Sequence, residues 1–84
     1  MKITLKLFAT LTDYLPVESK YTNLVELEVA AGTTVGQVIE THQLPPKWVH
    51  LVLVNGTYVE PEKRQARVLV PDDVLAIWPP IAGG

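Results

Sequence analysis

Few residues in this chain have chemistry to offer: a terminal carboxylate behind two glycines, two histidines and one adjacent pair of aspartates. The carboxylate belongs to the closing stretch Trp78-Pro79-Pro80-Ile81-Ala82-Gly83-Gly84. Proline fixes φ and has no N–H, so Pro79-Pro80 ends strand pairing and directs the last residues away from the body. Gly83 and Gly84 have no side chain and fit a passage too narrow for other residues. The only functional group at that tip is the Gly84 carboxylate. A thin, extended tail ending in a carboxylate reads either as a group offered to another protein's active site or as a plain frayed end.

The other candidates have blander readings. His42 falls at the end of a helical pattern, where an imidazole suits the C-terminal dipole, and neither a cysteine nor a second spaced histidine completes a metal set. His50 reads as a strand histidine. Asp72-Asp73 comes directly after Pro71 in a turn, and carboxylates there are normally turn formers rather than ligands or acid–base groups.

Periodicity identifies the elements that must position the tail. Residues 2–8 alternate, with Ile3, Leu5 and Leu7 on one side and Lys2, Thr4 and Lys6 on the other, as in a strand with one buried face. Phe8 is out of phase, either opening a loop or exposed. Leu11 and Leu15 are spaced for a short helical turn that Pro16 ends. Residues 23–29 alternate again, with Val25, Leu27 and Val29 inward, and pair with the first strand across a long connection. After Gly32, Thr33 or Thr34 is an N-cap. Val35, Val38, Ile39 and His42 then mark one helix face, closed by Leu44 and Pro45-Pro46. Residues 49–54 are mostly apolar, which predicts a central strand covered on both faces. Asn55-Gly56 is a tight-turn signal leading to a return strand at 57–59. Residues 61–67 read as a solvated loop and 68–70 as a brief apolar segment. Residues 74–78 form the last strand. One helix on a mixed sheet gives an α+β domain at 1–78 and an extended tail at 79–84. Leu75 and Ile77 inward would put Trp78 outward, beside out-of-phase Phe8 and edge residue Tyr58, as an apolar partner-binding patch. The competing arrangement folds Trp78 back over the sheet edge.

Composition excludes several classes. The chain has 84 residues, is 48% apolar and contains no cysteine, which leaves no disulfide framework and no thiol nucleophile. A domain of this size buries only roughly 60% of its unfolded surface. Seven basic against nine acidic residues give a net charge of -2 and no basic face for nucleic acid. No apolar run reaches the roughly 18 residues of a membrane span, and no signal peptide is evident. A soluble, cytoplasmic protein is the expectation.

Leu7-Phe8-Ala9, Gly32-Thr33-Thr34-Val35, Leu53-Val54-Asn55-Gly56 and Asp72-Asp73-Val74, with the Pro79-Pro80-Ile81-Ala82-Gly83-Gly84 tail after them, resemble in order and spacing the MoaD/ThiS family of ubiquitin-like sulfur carriers. The Pro-Pro tail, the early Leu-Phe-Ala and the length are closer to MoaD, the small subunit of molybdopterin synthase. The resemblance implies a β-grasp fold, with Phe8, Tyr58, Trp78 and the tail residues Pro79, Pro80, Ile81, Ala82 and Gly83 binding partners. It implies that an E1-like adenylating enzyme uses ATP to activate the Gly84 carboxylate, which a sulfur donor converts to a thiocarboxylate. The tail would then enter the molybdopterin synthase large subunit and give its sulfur to a pterin precursor. No cofactor would be bound by this chain, and the catalytic groups would lie on its partners. A ThiS-like carrier for thiazole synthesis, a ubiquitin-like protein modifier and a non-covalent interaction module are the alternatives.

Overall fold

The computed structural model describes residues 1–80. The alternating segments become strands: β1 (Lys2–Leu7), β2 (Leu24–Glu28), β3 (Leu51–Val54), β4 (Thr57–Tyr58) and β5 (Val74–Trp78), with one α-helix, α1 (Val35–Thr41). They form a single five-stranded sheet in the order β2-β1-β5-β3-β4. β1 pairs antiparallel with β2 and parallel with β5, while β3 pairs antiparallel with both β4 and β5. The last strand therefore lies in the middle of the sheet. Short 3-10 turns at Ala9–Tyr14 and Val17–Ser19 fill the long connection between β1 and β2.

Period-2 alternation divides the sheet into two faces. Ile3, Leu5 and Leu7 of β1, Val52 and Val54 of β3, and Leu75 and Ile77 of β5 are all buried on one side. They pack with Val35 and Val38 of α1, and with Leu11, Leu15, Leu44 and Leu69 from the connections, as one core.

The ends of α1 are specified locally. Thr34, rather than Thr33, is the N-cap, and it forms a capping box with Gln37. At the other end Gln43 takes a positive φ of 55°. The amides of Gln43 and Leu44 donate back to the carbonyls of Glu40 and Ile39. This is the Schellman pattern without its usual glycine, and it delivers buried Leu44 to the core. The tight turn at Asn55-Gly56 has φ of 51° and 84°. The Asn55 amide Nδ2 donates to Asp73 Oδ1 (2.8 Å), and Asn55 Oδ1 accepts from the Val74 amide (2.9 Å). Asp73 Oδ2 accepts from the Val70 amide (2.9 Å). The Asp73 carboxylate thus belongs to a turn network and is buried, while Asp72 takes a positive φ of 70° in the same turn.

Two sequence readings are corrected. Residues 49–54 were expected to form a strand covered on both faces, but β3 is covered on one only: Val52 and Val54 are buried, while Leu51 is exposed and Leu53 half-buried. Because every residue of Leu-Val-Leu-Val is apolar, the pattern could not distinguish one buried face from two. Residues 61–67 are not simply a solvated loop, because Arg64 is buried within them. Its guanidinium donates to the carbonyls of Val59 (3.1 Å), Val49 (3.4 Å) and His50 (3.1 Å). It clamps the chain entering β3 to the chain leaving β4. Replacing Arg64 with alanine leaves these carbonyls without that donor, at an expected loss of about 2–4 kcal/mol. In a domain this small, that lowers Tm by about 10 °C or more. Lysine, a single point donor, is expected to recover only part of it. Thermal melts of the two variants check both statements.

Candidate functional site

The face of the sheet opposite α1 is uncovered by any element among the described residues. Register brings its residues into rows. Leu51 stands across from Trp78, and Leu53 lies between Ala76 and Tyr58. On the other side Ala76 pairs with Lys6 and Val74 with Thr4. The β5-β3-β4 half of this face is apolar, whereas the β1-β2 half carries Lys2, Lys6, Glu26 and Glu28. Leu51 and Tyr58 are among the exposed large apolar residues. A contiguous apolar patch beside a charged border is the anatomy of a protein-binding surface.

Phe8 and Trp78 come together here. Their rings stack with centroids 4.2 Å apart and planes 1° from parallel. Both are half-buried. Stacking lets each ring cover one face of the other while leaving apolar area open. Trp78 neither stands free nor folds into the core. Tyr58 shares the face but lies two strands from Trp78, with β3 between them.

The backbone at the root of the tail is held on both sides. The Phe8 amide donates to the Ile77 carbonyl (3.2 Å), and the His50 amide donates to the Trp78 carbonyl (3.0 Å). Directly after Phe8, Ala9 takes φ of 54°, a region that costs an L-residue about 1–2 kcal/mol. That left-handed residue opens the 3-10 turn at Ala9–Tyr14, which stays in contact with both β1 and β5. Pro79 is buried and Pro80 exposed. Ile81, Ala82, Gly83 and Gly84 lie outside the described residues.

The other chemically suggestive residues do not converge. His42 is the C-cap of α1, with Nδ1 3.0 Å from the Val38 carbonyl. His50 contributes its backbone to the tail root. Among the described residues no group of three His, Asp or Glu side chains could hold a metal ion, and no helix is long and apolar enough to cross a membrane. Sequence reasoning missed Leu51, Leu53 and Trp48. The Trp48 ring is exposed, with the Lys47 ammonium 5.7 Å from its centroid. The signal for the leucines was present in their two-residue spacing, but hidden by equally apolar neighbours.

A mixed sheet of this order, one helix across one face and a C-terminal tail leaving the central strand define a β-grasp, ubiquitin-like domain. The model of the ThiS family matches residues 5–84. The chain belongs to that family of ubiquitin-fold sulfur carriers. No curated protein sequence matches it. Among solved structures, it is similar to SAMP1 from Haloferax volcanii (23% identity, TM-score 0.69, all of both chains covered). It is similar to the HVO 2177 protein of the same organism (23%, TM-score 0.72, 100% of this chain and 87% of that one). A Pyrococcus furiosus protein described as a molybdopterin converting factor, subunit 1, is also alike (22%, TM-score 0.69, 96% and 99%). At these identities the likeness is one of fold.

Proposed function

We propose that this chain carries sulfur on its C-terminal carbonyl and donates it for molybdopterin synthesis, as the small subunit of a molybdopterin synthase. The observation that carries the reading is the junction of an uncovered apolar face with the root of a Gly-Gly tail. A partner seated on Leu51, Leu53, Phe8 and Trp78 receives whatever leaves Trp78 at a fixed place and direction. Proximity of this kind replaces a search by a loose carboxylate.

The end group dictates the chemistry. A carboxylate resists nucleophiles because it is charged and oxide is a poor leaving group. In the proposed cycle an E1-like adenylating enzyme joins the Gly84 carboxylate to the α-phosphorus of ATP, releasing pyrophosphate. The acyl-adenylate then has AMP as leaving group. Attack by sulfide, or its equivalent on a donor, gives the thiocarboxylate and AMP. The sulfur sits on a carbonyl carbon, so a chain without cysteine can carry it. Two sulfurs complete one dithiolene, so two loaded carriers serve each pterin precursor in the large subunit. This chain contributes the tail and the docking face, and its partners the catalytic groups. Compartment is set by the partners, and the cytoplasm is the proposed site.

The test is an intact mass spectrum after incubation with ATP, a sulfide source and the E1-like enzyme. The expected result is a mass gain equal to exchange of one oxygen for sulfur, mapped to the C-terminal peptide. An unchanged mass, with the enzyme active on another carrier, overturns the sulfur-carrier reading. Loading and then transfer to a thiazole synthase, or the appearance of isopeptide conjugates, overturns the molybdopterin assignment.

A further inference from the structure

We propose that the outer edge of β2, with the groove beside its C-terminal end, docks an extended protein segment in which aliphatic residues alternate with lysine or arginine. This edge lies apart from the tail and from the apolar half of the open face, and backbone pairing, partial burial and charge all point to it.

Ladder parity decides which backbone groups the edge presents. Met1 and Val29 exchange hydrogen bonds, with the Met1 ammonium donating to the Val29 carbonyl (2.7 Å) and the Val29 amide to the Met1 carbonyl (2.8 Å). Bonded and non-bonded pairs alternate along an antiparallel ladder. Ile3↔Leu27 and Leu5↔Val25 are therefore bonded pairs, and Lys2↔Glu28, Thr4↔Glu26 and Lys6↔Leu24 are not. The amides and carbonyls of Leu24, Glu26 and Glu28 point outward. β2 ends the sheet, so among the described residues no strand meets them. The opposite edge strand, β4, has two residues and offers far less. An added strand satisfies a row of edge groups in this way.

Burial supplies the second observation. On the α1 side, Ile3 and Leu5 are wholly buried, but their β2 neighbours Leu27 and Val25 are only partly so. The seven-residue α1 thus leaves β2 incompletely covered. A groove of about 360 Å³ opens beside the end of β2, between Val29, which directly follows the strand, and Val38 and His42 on α1 and its cap. Aliphatic side chains on alternate positions of an incoming strand would extend the core over Val25, Leu27 and Val29.

Charge decides the occupant. On the open-sheet side the edge carries Glu26 and Glu28, exposed, with Lys2 (4.0 Å) and the Met1 ammonium (3.5 Å) on their inner flank. A second copy pairing β2 against β2 would bring these carboxylates together, and like charges across strands destabilise a pair. A strand with lysine or arginine at the intervening positions meets them with the opposite sign.

The test titrates the ¹⁵N-labelled full chain with the capped peptide Val-Lys-Val-Arg-Val-Lys-Val and reads amide shifts. The expected result is movement confined to residues 24–29 and α1, lost when alternate peptide amides are N-methylated. The double substitution Glu26→Lys with Glu28→Lys, both at exposed sites, should weaken binding about tenfold or more. Shifts centred on Leu51 and Trp78, no shift at millimolar peptide, or equal affinity for the charge-reversed chain would each overturn the proposal. So would concentration-dependent shifts of β2 without peptide, which mean a second copy on this edge.

Discussion

Removal of Gly84 is expected to abolish sulfur loading while Tm moves by no more than about 3 °C, the range of a neutral surface change. The apolar core reaches no further than Ile77 on the last strand, and backbone hydrogen bonds hold that strand up to Trp78. Folding therefore does not depend on the last residue. In the proposed cycle chemistry does, because the activated carboxylate would have to meet the adenylating enzyme's nucleotide at one position. Shortening the chain by a residue withdraws that group by about 3.5 Å. Misplacement by even about 1 Å can cost two orders of magnitude in rate. Adding one alanine beyond Gly84 is expected to be as damaging, by overshooting and by bringing a Cβ into a channel sized for glycine. Intact mass spectrometry after the loading reaction, with thermal melts alongside, checks both variants. A truncated chain that still acquires sulfur would dismiss Gly84 as the reactive end.

The second large effect concerns Trp78. Trp78→Ala removes the stacked pair with Phe8, a contact worth about 0.5–1.5 kcal/mol beyond buried area. The ring is only half-buried, and the expected loss in folding is about 1–2 kcal/mol. Binding should suffer more. A central aromatic anchor typically costs about 2–4 kcal/mol on truncation, or roughly 30- to 1000-fold in Kd. Trp78→Phe, which retains the stack, should restore most of the stability and part of the affinity. Calorimetric titration with the E1-like enzyme or the synthase large subunit, set against melting curves, separates the two. Equal losses in affinity and stability for Trp78→Ala would mean that the residue serves the fold and not the interface.

Much of this arrangement was legible in the sequence because it is local. Alternation in residues 2–8 and 23–29, an N-cap at Thr33 or Thr34, Asn55-Gly56 and the turn at Pro71 each act over a few residues, and each appears where its pattern falls, the cap at the second of its two threonines. The stacked Phe8–Trp78 pair was half legible: both residues were out of phase, but their contact depends on β1 and β5 lying side by side. That parallel pairing joins strands almost a chain length apart and leaves no mark in either. Arg64 was hidden for the same reason. Its partners are backbone carbonyls, which every residue possesses, so nothing in the string Pro-Glu-Lys-Arg-Gln distinguishes the buried charge from its solvated neighbours. The open half of β3 was concealed by composition, since a face kept apolar for a partner looks like a face kept apolar for the core.

The central position of β5 also governs how the molecule bears load. β1 and β5 run parallel, so tension between the amino terminus and the tail draws them in opposite senses along their length. The bonds between them are then sheared together instead of being peeled one at a time, and β3 braces β5 from its other side. A domain gripped by its tail, as any carrier passed from one enzyme to the next would be, is thereby built to resist unravelling from that end.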